Sequence, residues 1–315
     1  MGKLAIIFPG QGSQTVGMGK AFAETNVEVQ SVFEQADKKL GFSLSNLIFE
    51  GPQEELTKTT NTQPALLTTS IALFEQFKKA EIKADYMAGH SLGEYTALVA
   101  AGAIGFEDGV FAVRKRGEYM EEAVPNREGT MAAVLGLDRD TLAEAVEKAA
   151  AEGDVVGLAN MNCPGQIVIS GSRKGVELAS QLAKEAGAKR VLPLEVSGPF
   201  HSQLMKPASG RLREVLEGIS ISEATVPVIA NVNAQEMTDA EEIKERLLEQ
   251  LYSPVLWEDS VKHMLELGVD TFVEIGPGKV LSGLVKKVER SVQTYSISDE
   301  ETLVATINAL KERTV

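Results

Sequence analysis

Nucleophilic chemistry at an acyl carbonyl needs a positioned hydroxyl, a base within reach of it and a group that receives the developing oxyanion. The stretch Gly89-His90-Ser91-Leu92-Gly93 fits the G-x-S-x-G nucleophile elbow. A short apolar segment, Tyr86-Met87-Ala88, precedes it and a run of good helix formers, Leu92 to Ala101, follows, so the serine is expected at a strand-to-helix turn. Glycines at 89 and 93 carry no Cβ and allow a sharp backbone with helix close against strand. The start of that helix offers unpaired N–H groups and a partial positive charge where an oxyanion would form.

The base must come from three histidines, 90, 201 and 263. His201 has the best context, because it follows a strand over 190–196 and a Ser-Gly-Pro-Phe segment, on a loop at the border between two predicted domains. His90 adjoins Ser91, and neighbours around a tight turn point apart; His263 falls within a helix over 258–267. A triad would add a carboxylate that fixes the imidazole tautomer. Asp154 and Glu195 lie in the right interval but carry no signature, and a backbone carbonyl accepting Nδ1–H would serve as well.

Two more features bear on an acyl substrate. A helix over 106–124 has an apolar stripe at 106, 110, 113, 117, 120 and 124; at about 100° per residue, Lys115 faces away from the stripe while Arg114 and Arg116 flank it on opposite edges. Either arginine could bind a substrate carboxylate by a bidentate pair. The loop Gly10-Gln11-Gly12-Ser13-Gln14 lacks both the dinucleotide and the Walker patterns, yet it places backbone N–H groups at the carboxyl end of the first strand, where an oxyanion donor is wanted.

The elements that must hold these residues follow from periodicity. Short apolar strands at 4–8, 84–88, 227–231 and 271–275 alternate with amphipathic helices, which predicts a parallel sheet covered on both faces. Between them, strand 131–135, helix 138–151, strand 155–159, a turn at Asn162-Cys163-Pro164-Gly165, strand 166–170, helix 173–186 and strand 190–194 spell βαββαβ, the ferredoxin-like plan. The fold class is therefore α/β: an α/β-hydrolase-like domain, residues 1–127 and 198–315, with an inserted ferredoxin-like domain over 128–197. Its entrance is placed at Pro125-Asn126-Arg127-Glu128-Gly129 and its exit at Ser197-Gly198-Pro199. A last helix over 300–313 caps the fold.

Composition narrows the function classes. The chain has 315 residues, 43% of them apolar, and a formal charge of −14, so neither nucleic acid nor an anionic membrane is expected as its main partner. Its one cysteine, Cys163, excludes an intramolecular disulfide, suits a cytoplasmic location and reads as a small space-filling residue in a turn. The apolar run Leu4–Phe8 is too short for a signal-peptide core and stops at Pro9-Gly10, and Ile6 breaks the myristoylation pattern. With so few histidines and one cysteine no metal site is expected.

Taken together these pieces resemble the malonyl-CoA:acyl carrier protein transacylases and the acyltransferase domains of fatty-acid and polyketide synthases. The resemblance runs the full length, through Phe8-Pro9-Gly10-Gln11-Gly12-Ser13-Gln14, Gln63-Pro64-Ala65, Gly89 to Glu94, Arg116-Gly117, Asn160-Met161-Asn162, Pro164-Gly165-Gln166, Gly198-Pro199-Phe200-His201-Ser202, Gln250-Leu251-Tyr252 and Glu274-Ile275-Gly276-Pro277-Gly278. It implies that Ser91 is the nucleophile, that His201 is base and then acid, and that the N–H groups of Gln11 and Leu92 form the oxyanion hole. It also implies that Arg116 rather than Arg114 binds the malonyl carboxylate, that the carbonyl of Gln250 orients His201, that Phe200 selects malonyl over α-branched groups, and that Gln63 and Asn160 lie near the pocket. Cys163 departs from the serine many relatives carry there.

The implied activity is transfer of malonyl from malonyl-CoA to the phosphopantetheine thiol of acyl carrier protein through a malonyl-serine, feeding fatty acid biosynthesis. Malonyl-CoA and the carrier's arm are substrates, no cofactor is bound, and a monomer acting as a standalone enzyme is expected. The alternative is a serine thioesterase or esterase on short acyl thioesters, which shares the elbow and delivers the acyl group to water. Acidic carriers would need a local basic rim on this acidic chain, either Arg173, Lys174, Lys184, Lys189 and Arg190, or Lys279, Lys286, Lys287 and Arg290.

Overall fold

The first strand is apolar on both of its faces, and the two faces go to different cores: Leu4, Ile6 and Phe8 join one buried cluster, Ala5 and Ile7 another. A strand of that kind is stable only at the centre of a sheet with helices on both sides. In the computed structural model, which describes residues 2–124 and 128–312, the chain forms two sheets. The strands in chain order are β1 (Lys3–Phe8), β2 (Tyr86–Gly89), β3 (Gly129–Leu135), β4 (Val156–Cys163), β5 (Gln166–Ser172), β6 (Arg190–Pro193), β7 (Val228–Ile229), β8 (Glu236–Met237), β9 (Val269–Ile275) and β10 (Gln293–Ile297).

The larger sheet has the order β10-β9-β1-β2-β7-β8 and is parallel except where β8 turns back along β7. β1 and β2 run in register from Ala5 beside Tyr86 to Phe8 beside Gly89, so the loops that leave both strands emerge together at one edge. Ligands of open α/β sheets bind along that carboxyl edge. The 20-residue helix Thr59–Lys78 and the helix Phe106–Glu122 pack against each other on one side.

Strands β3 to β6 form a separate antiparallel sheet in the order β4-β5-β3-β6, the arrangement a βαββαβ run adopts in the ferredoxin-like plan. Its helices start on side-chain caps: Asp138 accepts from the Thr141 N–H at 2.9 Å and Ser172 from the Gly175 N–H at 3.0 Å. The predicted entrance at Pro125-Asn126-Arg127, and with it the boundary at residue 127, lies outside the described residues, as does residue 313 at the end of the last helix, Glu300–Glu312.

Three expectations change. The strand placed at 155–159 runs on to Cys163, so Asn162 and Cys163 belong to β4 and the turn is Pro164-Gly165 alone. The physical reason is a second partner: beyond β5, the Met161 N–H donates to the Val255 carbonyl at 2.9 Å and the Val255 N–H to the Ala159 carbonyl at 2.8 Å, which keeps the strand extended. Cys163 is buried against Trp257 and Val255 in a core cluster instead of filling a turn. The strand placed at 227–231 shortens to Val228–Ile229, and β10, whose Gln-Thr-Tyr-Ser run has little apolar periodicity, closes the far edge of the sheet.

Candidate active site

The elbow is built by close approach. A Cβ on Gly93 would lie 2.1 Å from the Phe8 carbonyl oxygen and one on Gly89 would lie 1.9 Å from the Gly93 carbonyl carbon, so only glycines let β1, β2 and the helix Leu92–Ala100 meet here. Ser91 between them sits at φ 52°, ψ −105°, an L-residue held in left-handed territory. The strained peptide is braced from one side by Asn231. Its Oδ1 accepts the Ser91 N–H at 2.7 Å and its Nδ2 donates to the Gly89 carbonyl at 2.8 Å.

His201 Nε2 stands 2.8 Å from Ser91 Oγ, and its Nδ1 stands 2.9 Å from the Gln250 carbonyl oxygen. A carbonyl can only accept, so Nδ1 carries the proton and the Nε2 lone pair faces the serine hydroxyl. The imidazole is 4% exposed. Burial, with the Arg116 cation nearby, pushes its pKa down to about 3, so the ring is neutral at any physiological pH and its Nε2 lone pair is free to face the hydroxyl. No carboxylate completes a triad among the described residues: Asp154 accepts from Ser172 Oγ at 3.1 Å and Glu195 is exposed.

The two arginines separate cleanly. Arg114 is spent on Glu118 at 2.9 Å and on Asn61 Oδ1 at 2.6 Å, at the protein surface. Arg116 is 1% exposed and points into the crevice, where one terminal nitrogen donates to Gln63 Oε1 at 2.9 Å and the other to Gln250 Oε1 at 2.9 Å and Ser91 Oγ at 3.1 Å. Its face lies 5.5 Å from the centre of the buried Tyr95 ring. Among the described residues no carboxylate lies within ion-pair distance of it, and its Nε has no hydrogen-bond partner. A buried guanidinium held only by neutral acceptors keeps its capacity to pair with an anion.

Leu92 opens the helix that follows Ser91, so its N–H has no acceptor within that helix. The loop of Gln11 passes directly above, since a Cβ on Gly10 would lie 2.4 Å from the His90 carbonyl oxygen, and the Gln11 side chain donates to Thr59 Oγ1 at 3.1 Å. Phe200 is buried in the main core cluster next in chain to His201. Asn160 is 7% exposed on β4 beside Val255, and no hydrogen bond joins its side chain to Ser91, His201 or Arg116. Instead Asn162, two residues on, bonds His90 Nε2 at 2.8 Å, which takes His90 away from the serine, while His263 pairs with Glu236 at 2.9 Å.

Sequence reasoning passed over two residues of this network. Asn231 gave one faint signal, a polar residue closing an apolar strand at the sheet's carboxyl edge. Glu94 gave a stronger one: it is the single acid in the apolar helix Leu92–Ala100, and it is fully buried. Burial raises its pKa to about 7, against the lowering pull of Gln250, Asn231 and Arg116.

Residues 5–309 match the family described as acyl transferase domain. The chain is 61% identical to the malonyl CoA-acyl carrier protein transacylase of Bacillus subtilis over 99% of this chain and 98% of that one. It is 47% identical to the Escherichia coli protein of the same name, over 98% and 99%. This chain belongs to the acyl transferase family. An acyl carrier protein S-malonyltransferase from Vibrio cholerae superposes with a TM-score of 0.94 at 44% identity, covering 96% of this chain and 99% of that one. A malonyl-transacylase solved in complex with a type II polyketide synthase acyl-carrier protein superposes with 0.95 at 42%, covering 98% and 99%. The α/β architecture with a separate antiparallel sheet is therefore the fold of solved acyltransferases. In this acyltransferase no helix among the described residues is long and apolar enough to cross a membrane.

Proposed function

We propose that this enzyme moves a malonyl group from malonyl-CoA to the phosphopantetheine thiol of acyl carrier protein, in fatty acid synthesis, through a malonyl ester on Ser91. The observation that carries the choice of acyl group is Arg116, a buried cation without a carboxylate partner and 3.1 Å from the nucleophile.

Ser91 Oγ attacks the thioester carbon as its proton passes to His201 Nε2, with Nδ1–H held on the Gln250 carbonyl. The tetrahedral oxyanion is received by the N–H groups of Leu92 and Gln11; losing one such donor costs about 3 kcal/mol in the barrier. As the intermediate collapses, the carbon–sulfur bond breaks and His201 gives its proton to the departing coenzyme A sulfur. The carrier's thiol then enters, loses its proton to His201 and attacks the malonyl-serine, and the proton returns to Ser91 Oγ as the ester bond breaks. Throughout, the malonyl carboxylate takes Arg116, with Gln63 beside it, while Phe200 limits the room at the α-carbon and Asn160 lines the approach from β4. No step calls for a bound cofactor or metal.

The carrier would meet exposed Lys174 and Lys184 of the helix Arg173–Glu185 and Lys189 and Arg190 that follow it. Charge reversal there is expected to raise KM for the carrier several-fold while leaving KM for malonyl-CoA in place; the opposite result removes this face from consideration. For the reaction itself, Ser91→Ala is expected to lower carrier malonylation by about 10⁴-fold or more. Carrier malonylation that survives the substitution contradicts the scheme.

A further inference from the structure

Arg116 is positioned by two neutral amides, and one of them is itself held in a definite sense. Gln250 Nε2 donates to the Glu94 carboxylate at 3.0 Å and to the Ser91 carbonyl at 3.0 Å, while its Oε1 accepts from Arg116 at 2.9 Å. A guanidinium can only donate, and a carboxylate and a carbonyl can only accept. A half-turn of the Gln250 amide would set its NH₂ against Arg116 and its oxygen against two acceptors, leaving all three contacts repulsive among groups that are almost fully buried. The same Glu94 oxygen, Oε2, accepts the Asn231 N–H at 2.8 Å, which seats the residue that braces the elbow.

Glu94 Oε1 is buried with no partner, so this oxygen carries the proton when the carboxyl is neutral and the Oε2 contacts persist in either state. Acyl transfer draws on the main chain of Gln250 and leaves its side chain, and Glu94 altogether, without a chemical task. We propose that Glu94 and the Gln250 side chain are positioning residues for Arg116: the carboxyl group sets the sense of the amide, and the amide oxygen holds the guanidinium in the pose that receives the substrate carboxylate. This rests on the reading of Arg116 as the malonyl-binding cation.

Acceptors of this strength orient a guanidinium without neutralising it. A carboxylate bound directly would satisfy Arg116 and compete with substrate; two amide oxygens leave most of the positive charge available to the incoming malonyl group. Gln250 thereby ties the two halves of the site together, the base through its backbone and the specificity cation through its side chain.

Gln250→Met keeps the backbone carbonyl for His201 and a side chain of similar length, but removes the acceptor from Arg116 and the donor from Glu94. Purified variants are assayed with malonyl-CoA and acetyl-CoA as alternative donors. The expected result is that the malonyl-to-acetyl ratio of kcat/KM falls about tenfold to hundredfold, the range for a hydrogen bond to a charged group, with a rise in KM for malonyl-CoA. Glu94→Leu, which removes the acceptor for Gln250 Nε2 and so frees the sense of the amide, is expected to shift the ratio in the same direction by about threefold to tenfold. General damage to the site lowers both donors together and leaves the ratio unchanged, so an unchanged ratio overturns the proposal. If Gln250→Met does not fold, the ratio in Glu94→Leu decides alone. Failure of the unmodified chain to form any malonyl ester overturns the transferase reading instead, and is seen before either variant is compared.

Discussion

In the crevice at the carboxyl edge of the large sheet, Gln63, Glu94, Arg116, His201, Asn231 and Gln250 are each at most 4% exposed and are joined by hydrogen bonds. The four-stranded sheet buries Ala132, Val134, Leu142, Val146, Ile167 and Ile169 in a cluster of its own, and no charged side chain is buried among its described residues. Two regions of one chain thus solve different problems. The small sheet gains its stability from apolar area and makes few demands on polar geometry. In the crevice, dipoles and a cation are desolvated before any substrate arrives, at a cost to folding, so that they need not reorganise when charge develops.

Breaking the crevice should therefore be a chemical lesion. Truncating this cation, Arg116→Ala, leaves a malonyl carboxylate without a partner in a buried site, an expected loss of about 3 to 5 kcal/mol, or about a hundredfold to a few-thousandfold, in malonyl kcat/KM. Acetyl transfer, which brings no carboxylate, should fall far less; equal losses with the two donors would mean that the arginine shapes the site without reading the substrate.

Breaking the small sheet should be a stability lesion. Leu142 is 0% exposed in its core, and Leu142→Ala is expected to cost about 2 to 5 kcal/mol in urea-induced unfolding. For the fraction that remains folded, kcat should stay close to the parent's, and a kcat that falls in step with stability would erase the division drawn between the regions.

A smaller effect sharpens the comparison through pH. His201 has a pKa of about 3 in the folded chain against an ordinary 6.5, so below pH 6.5 the unfolded chain takes up a proton that the folded chain refuses. The stability contribution of His201 is therefore whole above pH 6.5 and is lost as pH falls toward 3. Glu94 works in the other direction, because its raised pKa of about 7 lets the folded chain hold a proton between pH 7 and 4.5 that the unfolded chain releases. Replacing His201 with Asn removes the first contribution alone. Between pH 8 and pH 5 the parent should lose about 2 kcal/mol relative to His201→Asn in urea unfolding, and parallel pH profiles would show that His201 titrates normally.

The sequence was most legible where one physical demand set the residues. Period and caps placed both helices of the small sheet to within a residue, and the doubly apolar β1 announced a central parallel strand. Ser91, His201, Arg116, Gln63 and Gln250, singled out along 188 positions of chain, meet in one crevice. Spacing alone left Arg114 and Arg116 equivalent, because both flank the same stripe; what separates them is where each meets the neighbouring helix Thr59–Lys78, Arg116 at the buried Gln63 and Arg114 at the half-buried Thr60 and Asn61 of its first turn. The length of β4 was hidden for a similar reason, since the partner that extends it, Val255, lies about ninety residues on. Asn231 and Glu94 stayed unread because their importance lies in contacts with residues remote in sequence.

The reaction proposed for this site is acyl transfer through Ser91 to a carrier. Brief exposure of the purified protein to malonyl-CoA, followed at once by phosphopantetheine-loaded acyl carrier protein with intact masses recorded throughout, tests it most directly. A malonyl adduct is expected on Ser91, disappearing as the carrier gains the same mass. An adduct that decays to free malonate while the carrier stays unchanged would contradict it, and would make this enzyme a hydrolase built on an acyltransferase fold.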